Sequence, residues 1–241
     1  MIFNSDEFVF KAQMPISRAR RVLVAPCIDS KNRPYPYSTS PKLLNDIIEG
    51  IRHTSDADVL IIAGTGDGGP VHPVYKELGY DFPRVIMLDA KDSTWVEVDN
   101  PLEKPLAMPT FLMPNVVLSS DYLITTCPLK TTQGEGELSI YNLLSLLSVE
   151  RYGQNWEGLN EFGMENVIAD LYFTMPFDMG IVEGTQILEI NANCKDVVKP
   201  HGKIYQGEPY YIDGEVSGIV GFETAYLDLI DEAESDLDGP D

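Results

Sequence analysis

The chain has little cysteine, little histidine and a shortage of basic residues, and each shortage removes a class of function. Its 241 residues include three cysteines and three histidines. Cys27, Cys127 and Cys194 are widely spaced and form no C-x-x-C pair, so neither a disulfide framework nor a cysteine-only iron–sulfur or zinc site is expected. His53, His72 and His201 are too scattered to argue for zinc. Lysine and arginine total 17 against 38 acids, a formal charge of −21. Such a surface repels phosphate backbones and anionic membrane faces, so neither nucleic acid nor a membrane is expected as a partner. A salt-rich habitat or plain solubility accounts for the same charge.

The opening stretch "MIFNSDEFVFKAQ" carries acids where a signal peptide needs a basic region, and no run approaches the roughly 18 apolar residues of a membrane span. With reduced thiols as the default, a cytoplasmic chain is expected. Nucleophilic acyl chemistry lacks support, because there is no G-x-S-x-G elbow and no cysteine with a histidine near it in sequence.

What is present is an alternation of short apolar runs and one amphipathic helix, in a chain that is 44% hydrophobic. "RRVLVAP" (20–26), "DVLIIAG" (58–64) and "RVIMLD" (84–89) read as strands buried on both faces of a parallel sheet. Between the first two, Leu43, Leu44, Ile47, Ile48 and Ile51 share one helical face, with Ser40 placed to cap it and Pro41 at its first position. A second helix over about 72–79 continues the alternation, which implies right-handed βαβ units. "WVEV" within the proline-bearing stretch 93–115 predicts an edge hairpin or a covering loop. "DYLITTCP" (121–128) restores a buried strand. Residues 139–153 and 165–176 read as helices and 179–188 as a strand, while "KIYQGEPYYIDGEVSGIVG", from 203 onward, reads as a hairpin with an Asp-Gly turn. The fold class expected is therefore α/β: a mostly parallel, Rossmann-like three-layer sheet with an additional antiparallel hairpin near the C-terminus. It forms one domain over 1–230, followed by an acidic tail over 231–241.

Gly64, Gly66 and Gly69 match G-x-G-x-x-G after a strand, and Asp89 closes the next strand 20 residues later. This is the context in which a dinucleotide's pyrophosphate meets a helix N-terminus and an acid meets its ribose. Pro70 removes an amide, Asp67 brings a carboxylate into the loop, and the motif follows the second strand rather than the first. Three readings stand: a dinucleotide, another anionic or metal-bound ligand, or a turn that needs flexible backbone.

Lys130 lies at the C-terminal end of a predicted central strand, where open α/β sheets place their ligands, and would hold a carboxylate or phosphate as a point charge, or pair structurally with a nearby acid. Thr131 and Thr132 would add hydroxyls, or simply end a strand. Asp67, Asp89, Glu183 and Asp228 could converge at the strand ends around a hard divalent cation, or serve as turn and capping acids. The candidate sets are thus Lys130 and Glu183 for catalysis; Gly64, Gly66, Asp67, Gly69, Lys130 and Thr131 for ligand binding; and Asp67, Asp89 and Asp228 for a metal. His72 is the histidine nearest the glycine loop.

The succession "LIIAGTGDGG", "VYKELGY", "VIMLD", "SSDYLITTCPLKTT", "MGIVEGTQIL" and "GIVGFETAYLD" resembles the domain-of-unknown-function family 362 over most of the chain. Pro128, Lys130 and Thr131 fit an element in which that family carries a histidine after the threonine, and Thr132 stands in its place. Glu183 stands where the family has an aspartate before Gly184, and Glu223 and Asp228 fit a late acidic stretch. Many members carry appended ferredoxin-like clusters, which implies redox chemistry. This chain has no such cysteines, so the resemblance implies a cluster-free member or one served by a separate redox protein. A remoter likeness of architecture is to the lactate racemase type of α/β protein with a nickel cofactor.

The expected function is that of an enzyme or redox-linked subunit binding a small anionic ligand at the strand ends, with a divalent metal or dinucleotide as possible cofactor. Two alternatives stand beside it: an accessory module whose acidic surface docks a basic partner, and a dinucleotide-dependent oxidoreductase.

Overall fold

The computed structural model describes residues 1–29, 31–175, 177–192 and 195–237, with backbone alone for 236 and 237. In chain order the elements are β1 (Ile2–Asn4), β2 (Arg21–Pro26), α1 (Pro41–Arg52), β3 (Asp58–Ala63), α2 (Val71–Glu77), β4 (Val85–Asp89), β5 (Trp95–Asp99), β6 (Thr110–Pro114) and α3 (Asn115–Leu118). They continue with β7 (Tyr122–Thr132), β8 (Glu135–Gly136), α4 (Val149–Tyr152), α5 (Met164–Thr174), β9 (Met179–Ile190), β10 (Val197–Gly207), α6 (Pro209–Val220) and α7 (Ala225–Leu237).

The apolar runs form the centre of one sheet in the order β1-β10-β9-β7-β2-β3-β4, with β8 hydrogen-bonded to β7. Strands β4, β3, β2, β7 and β9 are parallel, and β10 and β1 add antiparallel partners at one edge. Alternate residues of β2 and β3 point to opposite faces, so both faces are covered. Val22, Val24, Val59 and Ile61 meet α1, α2 and the N-terminal Phe8 and Phe10. Leu23, Leu60 and Ile62 meet α5, α7 and the β5–β6 hairpin. The result is three layers of an α/β fold. Helix α1 starts as its sequence dictates: the Ser40 hydroxyl accepts from the Leu43 amide at 3.0 Å, Pro41 occupies its first turn, and all five apolar residues are buried.

Strand β7 is the longest of the parallel set's inner strands and overhangs its neighbour β2, whose pairing ends at Pro26 opposite Thr126. Beyond that point β7 keeps β9 on its other side after a register shift between Pro128 and Leu129, reaching Thr132 opposite Ile190. A shelf therefore projects past the C-terminal edge of the sheet.

Three expectations are corrected. The segment 203–221 is not a hairpin: β10 pairs with β9, and the chain then enters α6. Glu208 drives this, because its carboxylate accepts from the Tyr210 and Tyr211 amides and Pro209 follows as the first helical residue. The antiparallel element near the C-terminus is instead β9 with β10. Residues 139–153 do not form one helix but a 3-10 segment over Tyr141–Leu146 and the short α4. Burial of Leu143, Leu144, Leu146 and Leu147 on successive positions leaves no single helical face, and Ser148 starts α4 separately by accepting from the Arg151 amide. Finally, α7 runs to Leu237 with Ala233 buried, so 231–237 is helical; 238–241 and Cys194 lie outside the described residues.

Asp213, expected in a turn, is a fully buried residue of α6 that ties this helix to the start of the 3-10 segment. Its carboxylate accepts from the Ser139 amide (3.0 Å) and hydroxyl (2.6 Å), the Ile140 amide (2.9 Å) and the Tyr226 hydroxyl (2.9 Å). Burial lifts its pKa to about 6 against the pull of those bonds. Truncation would strand two buried amides at once. We expect Asp213→Ala to lower stability by roughly 3 kcal/mol, read from the urea midpoint at unchanged m-value.

Candidate functional site

Above the edge of β2, the β7 shelf forms one wall of a cavity of about 330 Å³ lined by Cys27, Lys130, Glu137, Tyr141, Asn142 and Trp156, among others. The opposite wall is the 3-10 segment and the chain that follows it, and Asp29, Lys31 and Arg33 stand at the rim. A second hollow, of about 560 Å³, lies on the other side of the β7 tip against Glu189 and Phe222. It is the larger by volume, but it gathers no cation, whereas the first brings together buried groups of opposite charge. The first is the functional candidate.

Lys130 owes its partner to the hairpin at the tip of β7. Gln133 and Gly134 both have positive φ, 56° and 98°, so the chain reverses in two residues and sets Glu135 opposite Thr132 and Gly136 opposite Thr131. Continued by one step, this register brings Glu137 to Lys130: the Glu137 amide donates to the Lys130 carbonyl at 3.1 Å, and the ammonium lies 2.9 Å from the carboxylate. The two side chains are 13% and 17% exposed. The ammonium also donates to the Cys27 sulfur at 3.5 Å.

Burial opposes the Lys130 charge, but the Glu137 carboxylate 2.9 Å away outweighs it and holds the pKa above the usual lysine value. Glu137 is likewise held below the usual glutamate range, since Lys130 and the Thr132 hydroxyl overcome its burial. Burial pushes the Cys27 thiol up, and pushes Tyr141 up to about 12 with Glu137 adding to the effect. At neutral pH the cavity thus holds an ammonium, a carboxylate, a thiol and a phenol. That set suits electrostatic stabilisation of an anion and proton donation, and contains no neutral base.

At the rim, Arg33 makes a fork onto Asp29 through Nε and Nη2, both at 2.9 Å, and reaches Asp196 at 3.2 Å. Its guanidinium carbon lies 3.5 Å from the centre of the Tyr37 ring. This cation is committed to its partners.

The glycine loop meets the cavity only at Gly66. A Cβ there would stand 2.3 Å from the Asn155 side-chain oxygen, and the Asn155 amide donates to the Gly66 carbonyl at 2.6 Å. Absence of a side chain thus lets the 153–157 stretch dock. The rest of the loop is satisfied internally: the Gly69 amide donates to Asp67 at 2.9 Å, and the Asp89 carboxylate accepts from the Val71 and Lys91 amides at 2.9 and 3.1 Å. Three amides that a pyrophosphate would use are thus taken, Gly68 by the Thr65 carbonyl, Gly69 by Asp67 and Val71 by Asp89, and Pro70 offers none.

A family model described as Domain of unknown function (DUF362) matches residues 22–209. The chain belongs to that family. The lactate racemase apoprotein from Thermoanaerobacterium thermosaccharolyticum is similar in fold, with a TM-score of 0.58 at 12% identity over 90% of this chain and 53% of that one. This DUF362 chain thus spans about half the length of that protein, and the likeness concerns the fold alone. No curated protein matches it.

Of the residues singled out in the sequence, Lys130 and Gly66 line the cavity, and Thr132 joins them. Thr131 does not: strand alternation turns it to the other hollow, with Glu135 and Glu189. Gly64, Gly69 and Asp89 line a separate small hollow of about 250 Å³. Asp228 is exposed on α7, Asp67 is exposed in the loop, and Asp89 is buried. Among the described residues no group of three acids, histidines or cysteines is placed to hold a metal, so the expected convergence of Asp67, Asp89 and Asp228 does not form. These residues do not fit a metal held by side chains. Among the described residues no helix is long and apolar enough to cross a membrane.

Glu183 is the other displaced candidate. Its carboxylate turns away from the cavity onto the start of α1, accepting from the Ser40 amide (2.9 Å) and hydroxyl (2.5 Å). Burial raises its pKa to about 7, against those hydrogen bonds. A folded-state pKa above the unfolded one means that its contribution to stability is whole below about pH 4.5 and lost as pH rises through about 7. We expect Glu183→Gln to flatten the fall in Tm between pH 5 and 8, by an amount worth a few kcal/mol at the alkaline end, as followed by thermal denaturation across that range.

Proposed function

We propose that this chain binds a small anionic ligand in the cavity above β2, as an enzyme or enzyme subunit, with Lys130 as the charge that holds it. The observation that carries this reading is a buried ammonium at the C-terminal end of a central parallel strand, facing a cavity rather than packed core. An ammonium has three donors. One meets Glu137 and one meets the Cys27 sulfur, which leaves one for a ligand. In a chain of net charge −21 an anion gains nothing from the general field, so a local cation is required to hold it.

The role read for Lys130 is to hold negative charge on a bound group, and that for Tyr141, whose phenol stays protonated at neutral pH, is to donate a hydrogen bond to it. Glu137 keeps the ammonium charged and aimed. A buried pair is sensitive to losing one member: removal of Lys130 alone leaves a carboxylate without its partner, at a cost of roughly 3–5 kcal/mol. The test therefore uses three variants and calorimetric titration with acetate. Lys130→Met, and the better-folded Lys130→Met/Glu137→Gln, are expected to lose acetate binding, while Glu137→Gln, which removes the group that keeps the ammonium charged, weakens it and does so more as pH rises. Unchanged binding in the double variant contradicts the proposal.

A further inference from the structure

The cavity wall facing Lys130 is built to a different purpose from the shelf. Asn155 and Trp156 both have positive φ, 49° and 56°, a left-handed conformation that two successive non-glycine residues rarely share and that costs on the order of 1–3 kcal/mol each. Three contacts hold them there. The Asn155 amide donates to the Gly66 carbonyl, the Trp156 amide donates to the Gly153 carbonyl at 3.0 Å, and the indole Nε1 donates to the Leu147 carbonyl at 3.1 Å. The indole thus has its polar atom satisfied by the protein and lines the cavity as a held aromatic surface beside Tyr141 and Met164.

The polar side chains on that wall are Asn142, Ser145, Asn155 and the hydroxyl of Tyr141. Ser145, 8% exposed, has a buried hydroxyl with no hydrogen-bond partner, and Asn142 spends its amide on the Ala25 carbonyl and the Thr125 hydroxyl. At the opposite end, Glu137 lies against Lys130 and Asp29 stands at the rim, so a ligand with two or more negative charges would meet two carboxylates. A single carboxylate needs only the remaining Lys130 donor and the exposed rim lysine, Lys31.

We infer that the cavity takes an aromatic monocarboxylate, its acid on Lys130 and its ring against Trp156. This rests on the anion site proposed above and adds the identity of the body that anion carries. A pocket of about 330 Å³, near the lower end of ligand-site volumes, limits the ligand to one or two rings.

The experiment is calorimetric titration with 2-naphthoate, acetate and 2-naphthylmethanol. 2-Naphthoate is expected to bind at least about tenfold more tightly than either fragment, and to weaken by about that factor in both Glu137→Gln/Lys130→Met and Trp156→Leu. A second reading guards against poor folding of the Trp156 variant. The chain has two tryptophans, so in Trp95→Phe the indole emission is that of Trp156, and it should shift with the same midpoint as the heat. Equal affinity for acetate and 2-naphthoate, or an emission that does not respond, overturns the aromatic assignment and leaves the anion site standing. Equal affinity for 2-naphthylmethanol and 2-naphthoate, or no binding of any of the three, overturns the anion site and this inference with it.

Discussion

A buried ion pair on an overhanging strand is the constraint from which the rest of the site follows. Lys130 and Glu137 are held 2.9 Å apart on either side of a two-residue turn, at a level where β2 has already ended. Beyond Pro26 only the two residues of β8, paired with Thr131 and Thr132, continue the sheet on the β2 side of β7. The space must be closed by other chain, and it is closed by the 3-10 segment and the 153–157 stretch, pinned respectively by Asp213 and by Gly66. Charge, shelf and wall are therefore one arrangement. Loss of either carboxylate anchor, Glu137 or Asp213, would act on the cavity before it acted on the sheet.

The ion pair also explains how a lysine stays charged while largely removed from water. Desolvation alone would lower its pKa, and an unpaired ammonium there would shed its proton. The partner carboxylate reverses the sign of the effect, and its own acidity is increased in return. The consequence for function is a fixed positive charge that does not titrate in the physiological range, in a protein whose outer surface is strongly negative. That combination favours a ligand small enough to enter the cavity over a polyanion that must approach the surface.

Much of the fold was legible because its signals are local. The Ser40-Pro41 start of α1, the five-residue apolar face behind it, and the three continuous apolar strands each follow from short-range rules, and each formed, although β4 lies at the sheet edge with Ile86 exposed rather than buried on both faces. Asp213-Gly214 misled because a turn dipeptide was overridden from a distance: the Glu208 cap started a helix, and the carboxylate found four donors on other segments. In the site, Lys130 was legible from its place at a strand end. Glu137 was not singled out, although the Gln133-Gly134 turn would have placed it across from Lys130. Trp156, Ser145 and Asn142 carry no such signal, since only the packing of the 3-10 segment brings them to the cavity. Glu183 and the glycine loop show the opposite error. Their residue types suit chemistry, but their polar groups are spent on helix starts and on the loop itself.

Everything proposed for the cavity depends on an anion sitting on Lys130. The most direct measurement is an anomalous-scattering map from a crystal soaked in iodide, a monoanion whose position is read without assumption. An iodide in hydrogen-bonding contact with the Lys130 ammonium is expected, and its loss in the Lys130→Met/Glu137→Gln protein. Well-occupied iodides on surface cations, with none in the cavity, would contradict it.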